Sequence, residues 1–365
     1  MRAAGGAAPC GRPAPVKFAV MADRSQISAP GSLQNSAGIT KTAESLTGEP
    51  LAELAAQHNL KPSAQRPGLL EYLGKLWQRR HFIMAFATAR NVSMYTDARL
   101  GQVWQVLTPL LNCAVYYLIF GILFRANKGV EHYIPYLVVG VFIFTFTERS
   151  ILVGSRVMHN NLSLMRALQF PRASLPLAYV IVELQQLMLS MVVMVIIVLG
   201  YGEPLTWYWF LAIPALLLQT LFNIGASLII ARIGAELNDI SQLAPFLTRV
   251  WRYFCGVMYS IATLPATLPL WSKELLQLNP AAVYISLMRL AIMRSQRTNA
   301  AGAKPYNAAA CASFHAHLSQ YGNQAFCHPE VTLSQLWLAG AGWAVFALAI
   351  GIVYFWRAEA RYGRG

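Results

Sequence analysis

The sequence predicts an all-α, polytopic membrane protein with six transmembrane helices, because six long apolar stretches follow residue 100. Each holds about 20 residues, enough to cross roughly 30 Å of hydrocarbon as an α-helix rising about 1.5 Å per residue. The stretches are continuously apolar and lack the alternation of barrel strands, which favours helices over strands. The predicted spans are residues 104–124, 133–152, 175–199, 207–233, 243–264 and 333–356.

The composition excludes a water-soluble globular protein. Charged residues make up 12% of the chain and hydrophobic residues 56%. Soluble domains carry about 25% charged residues. A single soluble core would leave too much apolar surface in contact with water, so the composition agrees with the six spans.

The distribution of Lys and Arg predicts the orientation, because basic residues near span ends stay on the cytoplasmic side. Basic residues crowd the segments that six spans would leave inside, whereas the short outer loops hold only Arg125 and Lys128. Both termini are therefore predicted to be cytoplasmic. The net charge of +14 fits a cytoplasmic rim that faces anionic lipid, and we expect no nucleic-acid partner.

The segment before the spans has two parts. Residues 1–60 are rich in Ala, Gly, Ser and Pro and predict a disordered cytoplasmic tail with no secretory signal. Met21 is a candidate start of the chain as an alternative to Met1. Residues 68–90 predict an amphipathic helix in the inner membrane interface, with a soluble juxtamembrane helix as the alternative. Its apolar side is Leu69, Leu73, Leu76, Trp77, Ile83 and Met84, and its polar side is Lys75, Gln78, Arg79 and Arg80.

Three groups of residues carry a resemblance to a known family. They are Arg90, Asn91, Val92, Leu100, Gly101, Trp104, Pro109 and Leu110; residues 160–166 with Phe170, Pro171, Arg172, Leu175 and Pro176; and Asn279, Pro280, Tyr284 and Arg289. In this order and topology, roughly residues 68–362 resemble the permease subunit of type-2 ABC exporters of lipid-linked polysaccharides or teichoic acids. The resemblance implies a six-span ABC-2 type transmembrane domain over residues 100–357, in a bacterial plasma membrane.

The loop after the second predicted span contains a candidate coupling element. A short helix from about Met158 to Ala167, ended by Phe170 and Pro171, would expose polar groups beside apolar ones. The resemblance implies that this helix docks on an ATPase subunit, and the alternative is an ordered loop. The coupling residues are Asn160, Asn161, Leu164, Met165, Arg166, Phe170, Pro171 and Arg172.

The energy source is predicted to be a separate subunit. The sequence contains no G-x-x-x-x-G-K-[ST] phosphate loop, so ATP and Mg would be bound by the partner, and the chain is a transport subunit and not an enzyme. The resemblance implies a homodimer of this chain with two ATPase subunits and a polyprenyl-linked polysaccharide as substrate. Teichoic acid, galactan and O-antigen polymers are not distinguished by the sequence.

Aromatic and charged residues of the spans are candidates for the substrate pathway. Flat aromatic faces suit the C–H faces of sugars, and guanidinium groups match the phosphates of a lipid carrier. Packing and interface anchoring are the alternatives for the aromatic residues, and snorkelling to the headgroups is the alternative for the Arg residues. The candidates are Tyr116, Tyr117, Phe142, Phe144, Glu183, Arg249, Trp251, Arg252, Tyr253 and Tyr259.

Glu183 lies in the middle of the third predicted span, where a charge is costly and indicates function. It would line the pathway, pair with an Arg or stay protonated. An ion-coupled secondary transporter that uses Glu183 is the alternative function. Glu148 and Arg149, near the end of the second span, are interpreted as interfacial.

Residues 265–330 are predicted to lie outside the cell, as short helices followed by a polar loop. The resemblance implies that these helices act as an external gate. Cys311 and Cys327 enclose 15 residues, and a disulfide between them would contribute about 3 kcal/mol. A zinc site with the neighbouring His residues is the alternative, but the spacing fits no standard zinc pattern, so we expect no metal. No cofactor is expected on this chain.

Overall fold

The computed structural model describes residues 68–94, 101, 103–124, 132–167, 170–237, 239–259, 261, 270–293 and 333–358. Within these residues the regular secondary structure is entirely helical, which confirms the all-α prediction. The helices are α1 (Leu69–Gln78), α2 (Arg80–Ser93), α3 (Val103–Tyr116, continuing as π-helix over Tyr117–Leu123), α4 (Tyr133–Asn160), α5 (Leu162–Ala167), α6 (Ser174–Gly200), α7 (Ala212–Glu236, preceded by a 3-10 turn at Trp207–Leu211), α8 (Ile240–Phe254), α9 (Leu270–Gln277), α10 (Pro280–Ile292) and α11 (Leu333–Ala358).

Five helical segments of the described chain are long and apolar enough to cross a membrane. They correspond to five of the six predicted spans, so the structure confirms a polytopic helical membrane protein. The segments are Val103–Leu123, Tyr133–Asn160, Ser174–Gly200, Trp207–Glu236 and Leu333–Ala358. The largest difference among them is at α4, which continues to Asn160, about two turns beyond the predicted end at residue 152.

Helix α4 is the centre of the bundle. It is the most buried of the five segments, and it packs against α3, α6, α7, α8 and α10. A polar contact joins it to α7, where Gln219 Nε2 donates to the Ile143 carbonyl at 2.8 Å and to Thr147 Oγ1 at 3.0 Å. Because α4 touches so many neighbours, any movement of α4 must displace most of the bundle.

The predicted fifth span, residues 243–264, differs from the structure. Helix α8 covers only 15 residues and ends at Phe254. A turn follows, in which Gly256 has φ = +62°, a left-handed conformation that favours glycine. This turn is buried at Cys255 and Met258. Buried backbone carbonyls are costly unless they accept hydrogen bonds, so the turn needs donors from elsewhere in the protein.

Arg289 of α10 and two tyrosines of α4 supply those donors. The buried guanidinium of Arg289 donates to the carbonyls of Gly256 at 3.0 Å and Val257 at 2.9 Å, and to Tyr136 O on α4. Tyr133 Oη donates to the Met258 carbonyl at 2.7 Å, and Tyr136 Oη donates to the Tyr259 carbonyl at 3.1 Å. Four successive carbonyls are therefore satisfied by side chains distant in sequence.

Helices α7 and α11 cross at close range. A Cβ atom added to Gly225 would overlap the backbone of Ala347, and one added to Gly351 would overlap the backbone of Gly225. Small residues let membrane helices approach closely, so that dispersion contacts between backbones hold them together. This contact fixes α11, the last helix, to the rest of the fold.

Gly225→Ala should lower the free energy of unfolding by about 1–3 kcal/mol, the usual cost of overpacking. Gly342→Ala on α11 is the matched control, because nothing lies within 4 Å of a Cβ at Gly342. The measurement is the midpoint of thermal unfolding of each purified variant in detergent. Equal midpoints for the two variants would contradict the close crossing.

Arg289→Lys should lower stability more strongly than Arg249→Lys, which changes an exposed Arg on α8. An ammonium group cannot reach three carbonyls on two elements at once, and each lost charged hydrogen bond costs about 1.5–3 kcal/mol. The folded fraction of each variant is measured by size-exclusion chromatography after detergent extraction. A folded fraction for Arg289→Lys that matches the control would show that the turn does not depend on the guanidinium.

Candidate functional site

The candidate coupling element is the short helix α5, which follows α4 after a single residue. The prediction placed one helix over about residues 158–167, whereas the structure ends α4 at Asn160 and starts α5 at Leu162. Asn161 causes this break, because its Nδ2 turns back to donate to the Val157 carbonyl at 2.7 Å. Asn side chains commonly bond local backbone in this way, and a helix ends where they do. Sequence reasoning gave the element but not its boundary.

Helix α5 has an inward and an outward face. Leu164 and Met165 pack against a hydrophobic cluster that includes Val157, Met158 and Leu175. Phe170, Pro171 and Arg172 follow the helix and are half-buried. The outward positions are exposed. They are Asn160, Leu162, Ser163, Arg166 and Ala167. Of the predicted coupling residues, only Asn160 and Arg166 are on this exposed face.

Helices α1 and α2 pack against the segment that follows the coupling element. Tyr72 is buried, and its hydroxyl accepts a hydrogen bond from the Ala173 amide at 3.3 Å. The ring of Phe82 lies 5.5 Å from that of Phe170, and the ring of Phe86 lies 6.0 Å from that of Tyr179. The start of α6 and the segment after α5 are therefore held by residues of α1 and α2.

The outer side of α1 and α2 exposes a row of large apolar residues. Leu70, Trp77 and Met84 are spaced seven residues apart and are exposed, and the Arg80 guanidinium lies 5.5 Å from the Trp77 ring. The predicted apolar side therefore divides between two surfaces. Leu76 packs inward and Ile83 is buried, whereas Trp77 and Met84 point away from the protein. The structure also separates the predicted single helix into two, at Arg79.

Arg252 and Arg249, the two predicted phosphate ligands, have different environments. Arg252 is buried and paired with the Glu148 carboxylate of α4, and it also donates to the Tyr116 hydroxyl of α3. Its guanidinium carbon lies 5.3 Å from the Phe144 ring centre. Arg249 is exposed. Buried charges need partners, so Arg252 is committed to an internal ion pair, and the interfacial interpretation of Glu148 does not hold.

The predicted aromatic residues also separate into buried and exposed groups. Phe142 and Phe144 are buried in the core, and the Trp251 ring packs edge-on against Phe144 at 5.9 Å. Tyr116, Tyr117 and Tyr259 are partly buried against the same cluster. Tyr253 is exposed on α8. Most of the predicted pathway aromatics therefore serve packing in this conformation.

Helix α8 exposes a continuous apolar face that sequence reasoning described only in part. Its large exposed residues recur at helical spacing beside Arg249, and this period is the signal that could have identified them. They are Leu243, Phe246, Leu247, Val250, Tyr253 and Phe254. The opposite side of α8 buries Ala244, Thr248 and Arg252. The helix thus has one face in the protein and one face available to lipid, cargo or a second copy.

Glu183 lies beside a small, partly open cavity between α3, α4 and α6. The cavity offers about 20 Å³ to the centre of a water-sized sphere, which is room for one water and not for a sugar. Gln105, Gln186 and Ser190 share its wall with Arg149, which donates to Gln186 Oε1 at 2.9 Å. Glu183 is buried among polar groups and one Arg.

A hydrogen-bond chain ties the same region to α2. Asn91 Nδ2 donates to Gln185 Oε1 at 3.3 Å, and Gln105 Nε2 donates to Asn91 Oδ1 at 3.2 Å. Gln185 Nε2 donates to Thr88 Oγ1 at 3.2 Å. Asn91 therefore links three helices, a role that its place in the first sequence tract did not reveal.

The cysteines of the described chain hold no disulfide. Cys113 and Cys255 are free and buried. Cys311 and Cys327, the predicted disulfide pair, lie outside the described residues. The described chain also contains no cluster of three or more His, Cys, Asp or Glu residues able to hold a metal ion.

Known proteins share much of this region. Residues 82–293 match the family described as ABC-2 type transporter. The O-antigen export system permease protein RfbA of Myxococcus xanthus is 24% identical over 196 residues, which is 54% of this chain and 75% of that protein. The protein of the same name from Klebsiella pneumoniae is 25% identical over 174 residues, which is 47% of this chain and 66% of that protein. Since the family match includes α4, α5 and α8 and extends over more than half of the sequence, the chain belongs to the ABC-2 type transporter family.

Proposed function

We propose that the chain is the membrane permease subunit of an ATP-driven exporter that moves a lipid-linked cell-envelope polysaccharide out of the cytoplasm. The main support is α5, a short helix with an exposed face that follows the most buried span after one residue. A soluble partner that binds such a helix can displace it, and the displacement is transmitted to the bundle. The names of the relatives favour an O-antigen type polymer among the candidates.

The partner is proposed to be an ABC ATPase subunit that binds the ATP and Mg. The outward face of α5 offers Leu162 as an apolar contact and Arg166 as a charged one. Interfaces of this kind gain most of their binding free energy from a few anchors, with Arg prominent among them. The partner should therefore present an apolar groove with an acidic edge.

The end of the bundle that carries α5 is assigned to the cytoplasm of a bacterial plasma membrane. The 3-10 turn at the other end exposes Trp207, Tyr208 and Phe210, as expected of an aromatic belt at the outer headgroups. On the α5 side, Leu70, Trp77 and Met84 are suited to insert at the inner headgroups while Arg80 meets lipid phosphates. Both termini are then cytoplasmic.

The route for the substrate is proposed to run along the exposed face of α8 between two copies of the chain. A single copy leaves that face uncovered, and homodimers are the commonest closed assembly. Arg249 takes over the role of phosphate ligand for the polyprenyl carrier, because Arg252 is already paired. Tyr253 and its apolar neighbours would contact sugar faces without fixing one sequence of sugars.

An ion-coupled secondary transporter remains the second candidate, because Glu183 is buried beside a cavity with room for one water. Buried intramembrane carboxylates are typical of proton relays. Vesicles containing the purified chain distinguish the two candidates. Export that needs the ATPase subunit and ATP supports the exporter, whereas transport by the chain alone in a pH gradient supports the relay.

The substrate is tested by depleting the protein from its native cells. We expect a polyprenyl-linked polymer to accumulate on the cytoplasmic side of the membrane, where mass spectrometry of the lipid extract identifies its sugars. Depletion without any accumulated lipid-linked polymer would contradict the proposed function.

The variants Leu162→Asp and Arg166→Glu should each reduce capture of the ATPase subunit by about tenfold or more, as loss of an interface anchor does. Co-purification of the ATPase with the tagged permease is the measurement. Arg79→Glu, a charge reversal at an exposed position between α1 and α2, should leave capture intact. Capture at the wild-type level in both α5 variants would refute docking on this face.

A further inference from the structure

Helix α8 is attached to α4 more extensively than to α7, its neighbour in sequence. The contacts follow each other in antiparallel order along the two helices, from the α5 end to the opposite end. Helix α8 therefore packs mainly on α4, although in the sequence it directly follows α7.

The first contact lies at the α5 end. Arg156, one turn before the end of α4, donates from Nη2 to the Ser241 carbonyl at 2.9 Å, in the first turn of α8. His159 Nε2 lies 3.0 Å from the Gly234 carbonyl, in the last turn of α7, and donates to it. Two side chains from the last turns of α4 therefore hold the connection between α7 and α8 on both sides.

The second contact lies near the middle of α4 and in the last turn of α8. The Arg252 guanidinium pairs with the Glu148 carboxylate, and the Trp251 ring packs against Phe144. Separating a buried ion pair would leave an uncompensated charge inside the bundle, which is far more costly than keeping the pair together. The pair therefore resists any sliding of α8 along α4.

The third contact lies after the end of α8. Tyr133 and Tyr136, in the first turn of α4, hold the carbonyls of Met258 and Tyr259. The contacts thus extend over nearly the whole of α4, whose 28 residues span about 42 Å at 1.5 Å per residue.

From these contacts we infer that α4 and α8 move as one unit during transport, with Arg156 and the Glu148–Arg252 pair as the positioning residues that carry the motion of α5 to α8. This inference rests on the proposed docking of an ATPase subunit on α5. A displacement of α5 is then transmitted along α4 and moves the exposed face of α8. The residues act through helix positions and do not touch the cargo.

The inference is tested in vesicles that contain the permease with its ATPase subunit, by measuring polymer exported per ATP hydrolysed. Arg156 is exposed, so Arg156→Ala should fold and still capture the ATPase. We expect its export per ATP to fall by about two- to tenfold, the value of one hydrogen bond. The double variant Arg156→Ala with His159→Ala should lose more.

Two further variants separate a positioning role from general damage. Arg156→Lys retains a donor for the Ser241 carbonyl and should recover most of the export per ATP. Lys75→Ala removes an exposed cation of α1 that pairs with Glu71 of the same helix, and should match the wild type. A wild-type ratio in the double variant, or a Lys variant as impaired as Arg156→Ala, would overturn the inference. A wild-type permease that captures no ATPase would instead overturn the proposed function.

Discussion

The need to satisfy backbone carbonyls inside a membrane bundle determines how this protein is organised around α8. A buried segment that leaves the helical conformation cannot rely on water, so other parts of the protein must supply donors. Here Arg289 and two tyrosines of α4 supply them to four successive carbonyls after α8. The turn, α10 and the first turns of α4 therefore form one cooperative unit.

The need to neutralise a buried charge explains why the two arginines of α8 have different environments. A guanidinium that faces the bundle must be neutralised by a partner, and Glu148 is the partner that α4 provides. A guanidinium on the opposite face can remain at the surface, as Arg249 does. The helix therefore has a structural cation and an available cation three residues apart. This difference is why the proposal gives the role of phosphate ligand to Arg249 and not to Arg252.

The sequence was sufficient to predict features that depend on local hydropathy and length, and insufficient for those that depend on distant partners. Five spans were predicted to within a few residues at most ends, because a long apolar run specifies a spanning helix by itself. The end of α8 at Phe254 was not, since it depends on Arg289 and Tyr136, which lie far away in the chain. For the same reason the pairing of Arg252 with Glu148 was invisible in a linear pattern.

The coupling element shows the limit of prediction on a smaller scale. Composition and proline placement indicated a short helix after the second span, yet the two faces of α5 became distinct only through packing. Leu164 and Arg166 are two residues apart and belong to opposite surfaces, one packed on the bundle and one exposed. A change at Leu164 therefore acts on the packing between α4 and α6, whereas a change at Arg166 alters the exposed surface to which the proposal assigns the partner. Because Asn161 is the single residue between α4 and α5, a displacement of the exposed face has a short covalent path to the central helix.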